Sequence, residues 1–271
     1  MNRTEPPALS HRLRFLGALS AWGLLFAASP GVLSAPGEPL VAVLGIAAWA
    51  ATESRRPAGR APAAFLAHAL GALPGAAALM LWIRYVYAPP LLYIGLGMGL
   101  YSAAGGVLLR RLQRALPMGA APLATALAWT AMETLRAAVP MPLGLGWMRL
   151  GYQAHAWLWL AGGARVLGVS GLTCALAALG GWLAPLLGAP RAFRELLTPR
   201  ALASGFGPLA LATVLGLATS PPDTVPGPRV LIVQPGFSQK RKRSDSPRTN
   251  FSALRDVTRA GHRVGRRGGE A

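Results

Sequence analysis

Long runs of apolar residues that contain no charged side chain dominate this chain. A helix needs about 20 mostly apolar residues to cross the roughly 30 Å of hydrocarbon in a bilayer. Six runs meet or approach that length: Phe15–Gly37, Ala61–Ile83, Tyr85–Leu109, Ala115–Met132, Val166–Pro190 and Ala201–Pro222. A seventh run, Pro39–Thr52, is shorter, and a re-entrant segment is its alternative reading. The pattern predicts an α-helical polytopic membrane bundle of about seven spans, because the core of a soluble protein does not need six such runs.

The basic residues between these runs indicate the orientation of the bundle. The net charge is +18, and along the chain loops that are rich in Lys and Arg alternate with loops that contain few of them. The rich side carries twelve: Arg3, Arg12, Arg14, Arg55, Arg56, Arg60, Arg110, Arg111, Arg114, Arg191, Arg194 and Arg200. The poor side carries three, Arg84, Arg136 and Arg149, while Arg165 lies within a hydrophobic segment and is left out. Basic loops stay in the cytoplasm, so we predict a cytoplasmic N-terminus, a C-terminus outside, and no nucleic-acid partner.

The character of the chain changes after the last apolar run. We expect a transmembrane domain over residues 1–219, a proline-rich linker over 220–228 and a separate segment over 229–271. Arg229–Gln234 is a short β-branched run, which is typical of a buried strand. The rest is basic: Phe251–Ala260 is a candidate helix, and Gly261–Ala271, which has no apolar pattern, is expected to be disordered.

Glu133 and Arg136 are the candidate site residues within the apolar part, near the outer end of the helix predicted over Ala121–Val139. Their spacing of three places them on one helical face. Charges at a membrane boundary are costly unless paired, and they are therefore candidates for function, with a simple interfacial ion pair as the alternative. The following Pro/Gly-rich loop contains Trp147 and Tyr152 and is too apolar for a free loop in water. We interpret these four residues as candidates for contact with lipid or substrate.

The chain carries no other convincing chemistry. The four histidines are scattered, so we predict no metal site, and no glycine-rich loop indicates a cofactor. The single cysteine, Cys174, lies in an apolar run without neighbours that would activate its thiol, and a packing role is the simplest interpretation.

Four blocks of sequence resemble a known family. These are Glu133-Thr-Leu-Arg136, then Gly146-Trp147-Met-Arg-Leu-Gly151-Tyr152-Gln153, then Gly168-Val-Ser170-Gly-Leu172, and finally Val230-Leu-Ile-Val-Gln234-Pro235 with Gln239. Their order and spacing are similar to those of the apolipoprotein N-acyltransferase family over roughly Ala121–Gln239. The last block resembles the first strand of that family's nitrilase-like domain, so the resemblance implies that residues 229–271 are a C-terminal fragment of an α/β nitrilase-like domain, its truncated start. One difference is Gly146, where the family usually has a proline before the tryptophan.

The resemblance implies a bacterial inner-membrane protein of lipoprotein biosynthesis. In that family a nitrilase-like domain outside the cytoplasm transfers an acyl chain from a phospholipid to the N-terminal diacylglyceryl-cysteine of a lipoprotein. A cysteine, a glutamate and a lysine carry the chemistry, and no residue of this chain corresponds to any of them. We therefore expect a truncated or frameshifted form that is inactive alone. The alternatives are the membrane subunit of a split enzyme, with a separate nitrilase-like chain, and a non-enzymatic membrane scaffold.

Overall fold

The regular structure of this chain is helical. The computed structural model describes residues 7–29, 38–53, 61–81, 90–140, 144–188, 193–219 and 246–267. Within these ranges the helices are α1 (Pro7–Ala27), α2 (Pro39–Glu53), α3 (Ala61–Leu79), α4 (Pro90–Ala115), α5 (Ala121–Ala138), α6 (Leu158–Ala161), α7 (Ala164–Gly188), α8 (Phe193–Leu196), α9 (Pro199–Ala218) and α10 (Pro247–Arg267). Two 3₁₀ turns, Met118–Ala120 and Leu150–Ala156, precede α5 and α6.

The predicted class, a helical membrane domain, agrees with these helices. Among the described residues, three helical segments are long and apolar enough to cross a bilayer: Pro62–Leu79, Ala164–Leu187 and Pro199–Ala218. The shortest of the predicted spans forms α2, an apolar helix of 15 residues. The total of seven spans stays a prediction. The expected linker and the expected strand Arg229–Gln234 lie outside the described residues.

Glycine makes the close approach of α1 and α3 possible. A Cβ atom added at Gly75 would lie 2.5–2.7 Å from backbone atoms of Trp22 and Gly23 and from the Trp22 Cβ. Such distances do not occur for real side chains, so only glycine lets the backbones meet here. Gly71 faces Phe15 in the same way. Because residue numbers rise together along this contact, α1 and α3 run parallel.

Neighbouring helices run in alternating directions from α1 to α5. Three sets of contacts define the antiparallel pairs: Gly17 with Thr52 and Gly45 with Ala21 for α1 and α2, Gly99 with Ala69 and Gly95 with Leu73 for α3 and α4, and Gly105 with Met132 and Met98 with Arg136 for α4 and α5. As a result, the carboxyl end of α2 and the carboxyl end of α5 lie at opposite ends of the bundle.

Three tryptophans fill the centre of the bundle. Trp22, Trp49 and Trp129 come from α1, α2 and α5, and all three are buried. The ring of Trp129 lies 5.8 Å from that of Trp22 and 5.0 Å from that of Trp49, the second pair edge to face. The Trp22 indole N–H donates a hydrogen bond to Ser102 Oγ on α4 at 3.1 Å. These large aromatic side chains, together with the hydrogen bond from Trp22 to Ser102, therefore connect four helices.

Helix α1 begins at Pro7, before the first predicted apolar run, and includes His11, Arg12 and Arg14. Proline is favoured in the first turn of a helix, because its missing N–H would have no partner there. The chain from Leu158 to Gly188 is divided into α6 and α7, and within α7 the backbone leaves helical geometry at Gly168.

The segment after Ser220 forms a separate compact unit, Pro221–Ala271. Its helix α10 includes the candidate helix Phe251–Ala260, but it continues to Arg267. The expected disorder of Gly261–Ala271 stays a prediction. Three apolar residues spaced by three, Phe251, Leu254 and Val257, share one side of α10, and arginines occupy the other side. This segregation is the pattern of an amphipathic helix.

Candidate functional site

Glu133 is the centre of a buried hydrogen-bond network at the carboxyl end of α5. Its side chain is only 3% exposed. One carboxylate oxygen accepts hydrogen bonds from the Trp129 indole N–H at 2.9 Å and from the Leu150 backbone N–H at 2.8 Å. The other oxygen accepts from the Thr173 hydroxyl at 2.8 Å. A carboxylate accepts hydrogen bonds only, so three donors from three parts of the chain satisfy it.

Arg136 holds the same loop from one turn farther along α5. The side chain is fully buried. Its guanidinium donates to the backbone oxygens of Trp147 at 2.6 Å and of Met148 at 3.2 Å. In the other direction, the Leu145 backbone N–H donates to the Arg136 backbone oxygen at 2.9 Å. Arg136 therefore binds the loop 144–150 at two places, at Leu145 near its start and at Trp147 and Met148 near its middle.

The interfacial ion pair considered from the sequence does not occur. Among the contacts of the described residues, no hydrogen bond or ion pair joins Glu133 to Arg136. Each side chain instead binds the loop separately. Glu133 binds the end of the loop, at Leu150, and Arg136 binds the middle of the loop, at Trp147 and Met148. Met148, between them, has a φ of +57°, a conformation that is uncommon for a residue with a side chain. Charge-assisted hydrogen bonds on both sides offset the cost of that backbone.

Of the two predicted aromatic residues, Trp147 lies on this loop and Tyr152 on the 3₁₀ turn that follows it, and both point away from the core. Trp147 is 53% exposed and Tyr152 is 47% exposed. The loop continues into Trp157 and Trp159, whose rings stack with centroids 5.4 Å apart, and into Leu158, which is 82% exposed. Aromatic and apolar side chains with this exposure fit the membrane interface, where one end of the ring contacts lipid and the other contacts water.

The amino end of α7 forms the remaining hydrogen bonds to this region. The Gly151 backbone N–H donates to the Thr173 hydroxyl at 2.9 Å, and Arg149 donates to the Ser170 hydroxyl at 3.0 Å. Between α6 and these residues, Gly168 has φ +64° and ψ −178°. This region of backbone space is accessible to glycine almost alone. Gly168 therefore sets the direction in which Ser170 and Thr173 meet the loop.

We expect Gly168→Ala to lower the free energy of unfolding by about 1–3 kcal/mol, because the new Cβ is strained at this φ. Space is not the cause, since nothing lies within 4 Å of the position that a Cβ would occupy. Gly23 in α1 has the same open surroundings in a helical backbone. Gly23→Ala should therefore be neutral or slightly stabilising. Unfolding of both variants in mixed micelles, followed by tryptophan fluorescence, measures the difference, and equal stability of the two would contradict the argument.

A second buried carboxylate was missed in the sequence. Glu53, the last residue of α2, is 3% exposed. One oxygen accepts from Arg14 Nε at 2.8 Å and from His68 Nε2 at 2.7 Å, and the other lies 3.8 Å from Arg110 Nε. The partners come from α1, α3 and α4, so one carboxylate connects four helices. From the sequence, Arg14 and Arg110 were interpreted only as charges of the basic side.

A short repeat in the sequence could have identified this residue. Ala48-Trp-Ala-Ala-Thr-Glu53 and Ala128-Trp-Thr-Ala-Met-Glu133 share the pattern Ala-Trp-x-Ala-x-Glu. In each copy the glutamate follows the buried tryptophan by one helical turn, and the two tryptophans meet in the centre of the bundle. Because α2 and α5 run in opposite directions, the two glutamates lie toward opposite ends. The repeat thus marks the two places where a buried carboxylate joins several segments.

The comparisons with known proteins place this arrangement in a family context. Residues 20–182, more than half of the chain, match the apolipoprotein N-acyltransferase N-terminal domain. That range includes Glu53, Glu133, Arg136 and the whole loop with Trp147 and Tyr152. No curated protein matches the chain.

Proposed function

Because this chain belongs to the apolipoprotein N-acyltransferase family, we propose that its bundle is the membrane part of a system that moves an acyl chain from phospholipid to the N-terminal diacylglyceryl-cysteine of a lipoprotein. The family and the apolar helices support a membrane protein of this kind. The inner membrane as its location and a cytoplasmic position of the Glu53 end are parts of the proposal, and the alternation of basic residues supports them.

The observation that carries the proposal is the rigid loop at the Glu133 end. The loop backbone is bound at Leu150 by Glu133 and at Trp147 and Met148 by Arg136, while the Trp147 and Tyr152 rings are about half exposed. A recognition surface binds more tightly when its backbone is already ordered, because less entropy is lost on binding. We propose that Trp147 and Tyr152 contact the acyl chains of the lipid or lipoprotein substrate at the membrane surface.

We further propose that this chain does not catalyse acyl transfer alone. Acyl transfer by this family's route needs an activated nucleophile and donors that stabilise the developing oxyanion. Cys174 lies in α7 and packs against the apolar core, so it is not placed to attack a lipid ester. The chemistry would then come from a nitrilase-like part outside these residues, and a separate chain that supplies it is the alternative form of the same proposal.

An acyl-transfer assay tests both parts of the proposal. The purified chain in vesicles of phosphatidylethanolamine and phosphatidylglycerol would be mixed with a diacylglyceryl-cysteine peptide, and mass spectrometry would detect the gain of one acyl chain. We expect no gain with this chain alone, and a gain when host membranes supply a nitrilase-like partner that co-purifies with it. A gain with the chain alone would refute the proposed inactivity. If no partner co-purifies and no acyl chain is gained, the interpretation as a non-enzymatic membrane scaffold remains.

The proposed role of the loop has its own test. We expect Trp147→Ala and Tyr152→Ala each to reduce photo-crosslinking of a diacylglyceryl peptide about fivefold, which corresponds to about 1 kcal/mol for an aromatic contact. Leu44→Ala on α2 is the matched control, since Leu44 is also about half exposed but lies far from the loop in the sequence. A decrease of the same size in the control would show that the loop has no special role.

A further inference from the structure

A groove between α1 and α3 lies outside the loop site. It has a volume of about 510 Å³. Phe15 and Leu16 from α1 and Leu66 and Leu70 from α3 form its walls, and His11 and Arg12 lie at one end. Leu16, Leu66 and Leu70 are each about half exposed. The groove is therefore an open apolar channel along two helices with basic groups at one end.

The basic end of the groove coincides with the amino ends of both helices. Because α1 and α3 run parallel, the helix dipoles of both place partial positive charge at this end. Arg14, two residues after Arg12, points inward to Glu53, whereas Arg12 is exposed and forms no ion pair with any described carboxylate. His11 Nδ1 is buried and has no hydrogen-bond partner in the described part of the chain. These groups are arranged to meet an anion.

We propose that this groove binds one anionic phospholipid, with an acyl chain between Leu16, Leu66 and Leu70 and the phosphate at His11 and Arg12. The apolar walls suit a hydrocarbon chain, and the charged end suits a phosphate on the leaflet that faces the basic loops. The site differs from the acyl-transfer site proposed above, because it lies at the Glu53 end and the Trp147 loop lies at the opposite end. Its occupant would be a bound structural lipid and not the acyl donor.

The experiment counts bound lipids on the purified full chain by native mass spectrometry. Dioleoyl phosphatidylglycerol and dioleoyl phosphatidylcholine, which have the same acyl chains, are titrated separately. We expect the first phosphatidylglycerol to bind at least about fivefold more tightly than phosphatidylcholine, because one basic residue near an anionic headgroup contributes about that factor. Arg12→Gln should remove the preference. Ala63→Phe, which fills the charged end of the groove, should weaken both lipids at the first site.

Matched controls separate this groove from general attraction to the basic side. Arg111→Gln removes an exposed arginine from α4, and Ala104→Phe adds a ring at an exposed position of the same helix. Both should leave the binding of the first lipid unchanged. Equal binding of the two lipids by the unaltered chain would overturn the proposal, and so would an Arg111→Gln effect as large as that of Arg12→Gln. The acyl-transfer assay is independent of either result.

Discussion

Glu53→Ala is expected to destabilise the helical bundle by about 3–5 kcal/mol, because it removes one partner of a buried ion pair. Arg14 and Arg110 are 0% and 7% exposed, and His68 is also fully buried. All three side chains contact the Glu53 carboxylate. Unfolding with sodium dodecyl sulfate in mixed micelles, followed through the buried tryptophans, measures the loss directly.

Two further variants decide whether buried charge is the cause. Glu38→Ala removes an exposed carboxylate just before α2 and should cost less than about 1 kcal/mol. The double variant Arg14→Met with Glu53→Met removes one charge of each sign, and it should cost less than Glu53→Ala because a neutralised pair needs no solvation. If the double variant were less stable than Glu53→Ala, packing of the side chains and not unpaired charge would explain the loss.

Glu133→Ala is expected to cost at least about 3 kcal/mol and to release the loop 144–150. The substitution leaves the Trp129 indole, the Leu150 N–H and the Thr173 hydroxyl without their acceptor, and each buried donor left unsatisfied costs about 1–3 kcal/mol. Trypsin cleavage after Arg149 reports on the loop itself, since Arg149 lies within it. We expect cleavage there to become much faster in the variant.

Glu133→Gln gives a graded comparison at the same position. Its amide oxygen can still accept from Trp129 and Leu150, and its NH₂ group can donate to the Thr173 oxygen, so we expect an intermediate loss of stability. Thr134→Ala, at an exposed neighbouring position, is the control and should change neither stability nor cleavage. Faster cleavage at Arg149 without a global loss of stability would assign Glu133 to the loop alone. No change in either stability or cleavage would contradict the hydrogen-bond network around Glu133.

The site was partly predictable from the sequence. Glu133 and Arg136 could be identified because charged residues are rare within apolar helices and costly to bury. Their action could not be identified, because the spacing of three suggests a mutual pair, whereas the structure directs both side chains to loop backbone atoms. A charged side chain binds its neighbour or a distant carbonyl depending on where the following loop packs against the helix. Helical periodicity carries no information about that packing.

Glu53 also shows that the sequence alone does not reveal the partners of a buried charge. It lies at the end of α2, the shortest of the predicted spans, and the arginines that follow in the sequence make it look like an ordinary surface charge. Only the packing of α1, α3 and α4 brings Arg14, His68 and Arg110 to it. The three partners are 39, 15 and 57 residues away in the chain, and no local pattern links them. The repeated Ala-Trp-x-Ala-x-Glu motif was the one available signal.

The sequence by itself determined that this chain is a set of apolar helices, because hydrocarbon excludes unpaired backbone groups and long uncharged runs satisfy that requirement locally. It also identified the family, since the order of short blocks is a property of the chain. Only the tertiary structure decided which buried charges meet which donors, how the α1–α3 groove forms and how the Trp147 loop is held. Those features depend on helices that approach at glycines far apart in the sequence, and such contacts exist only once the bundle has packed.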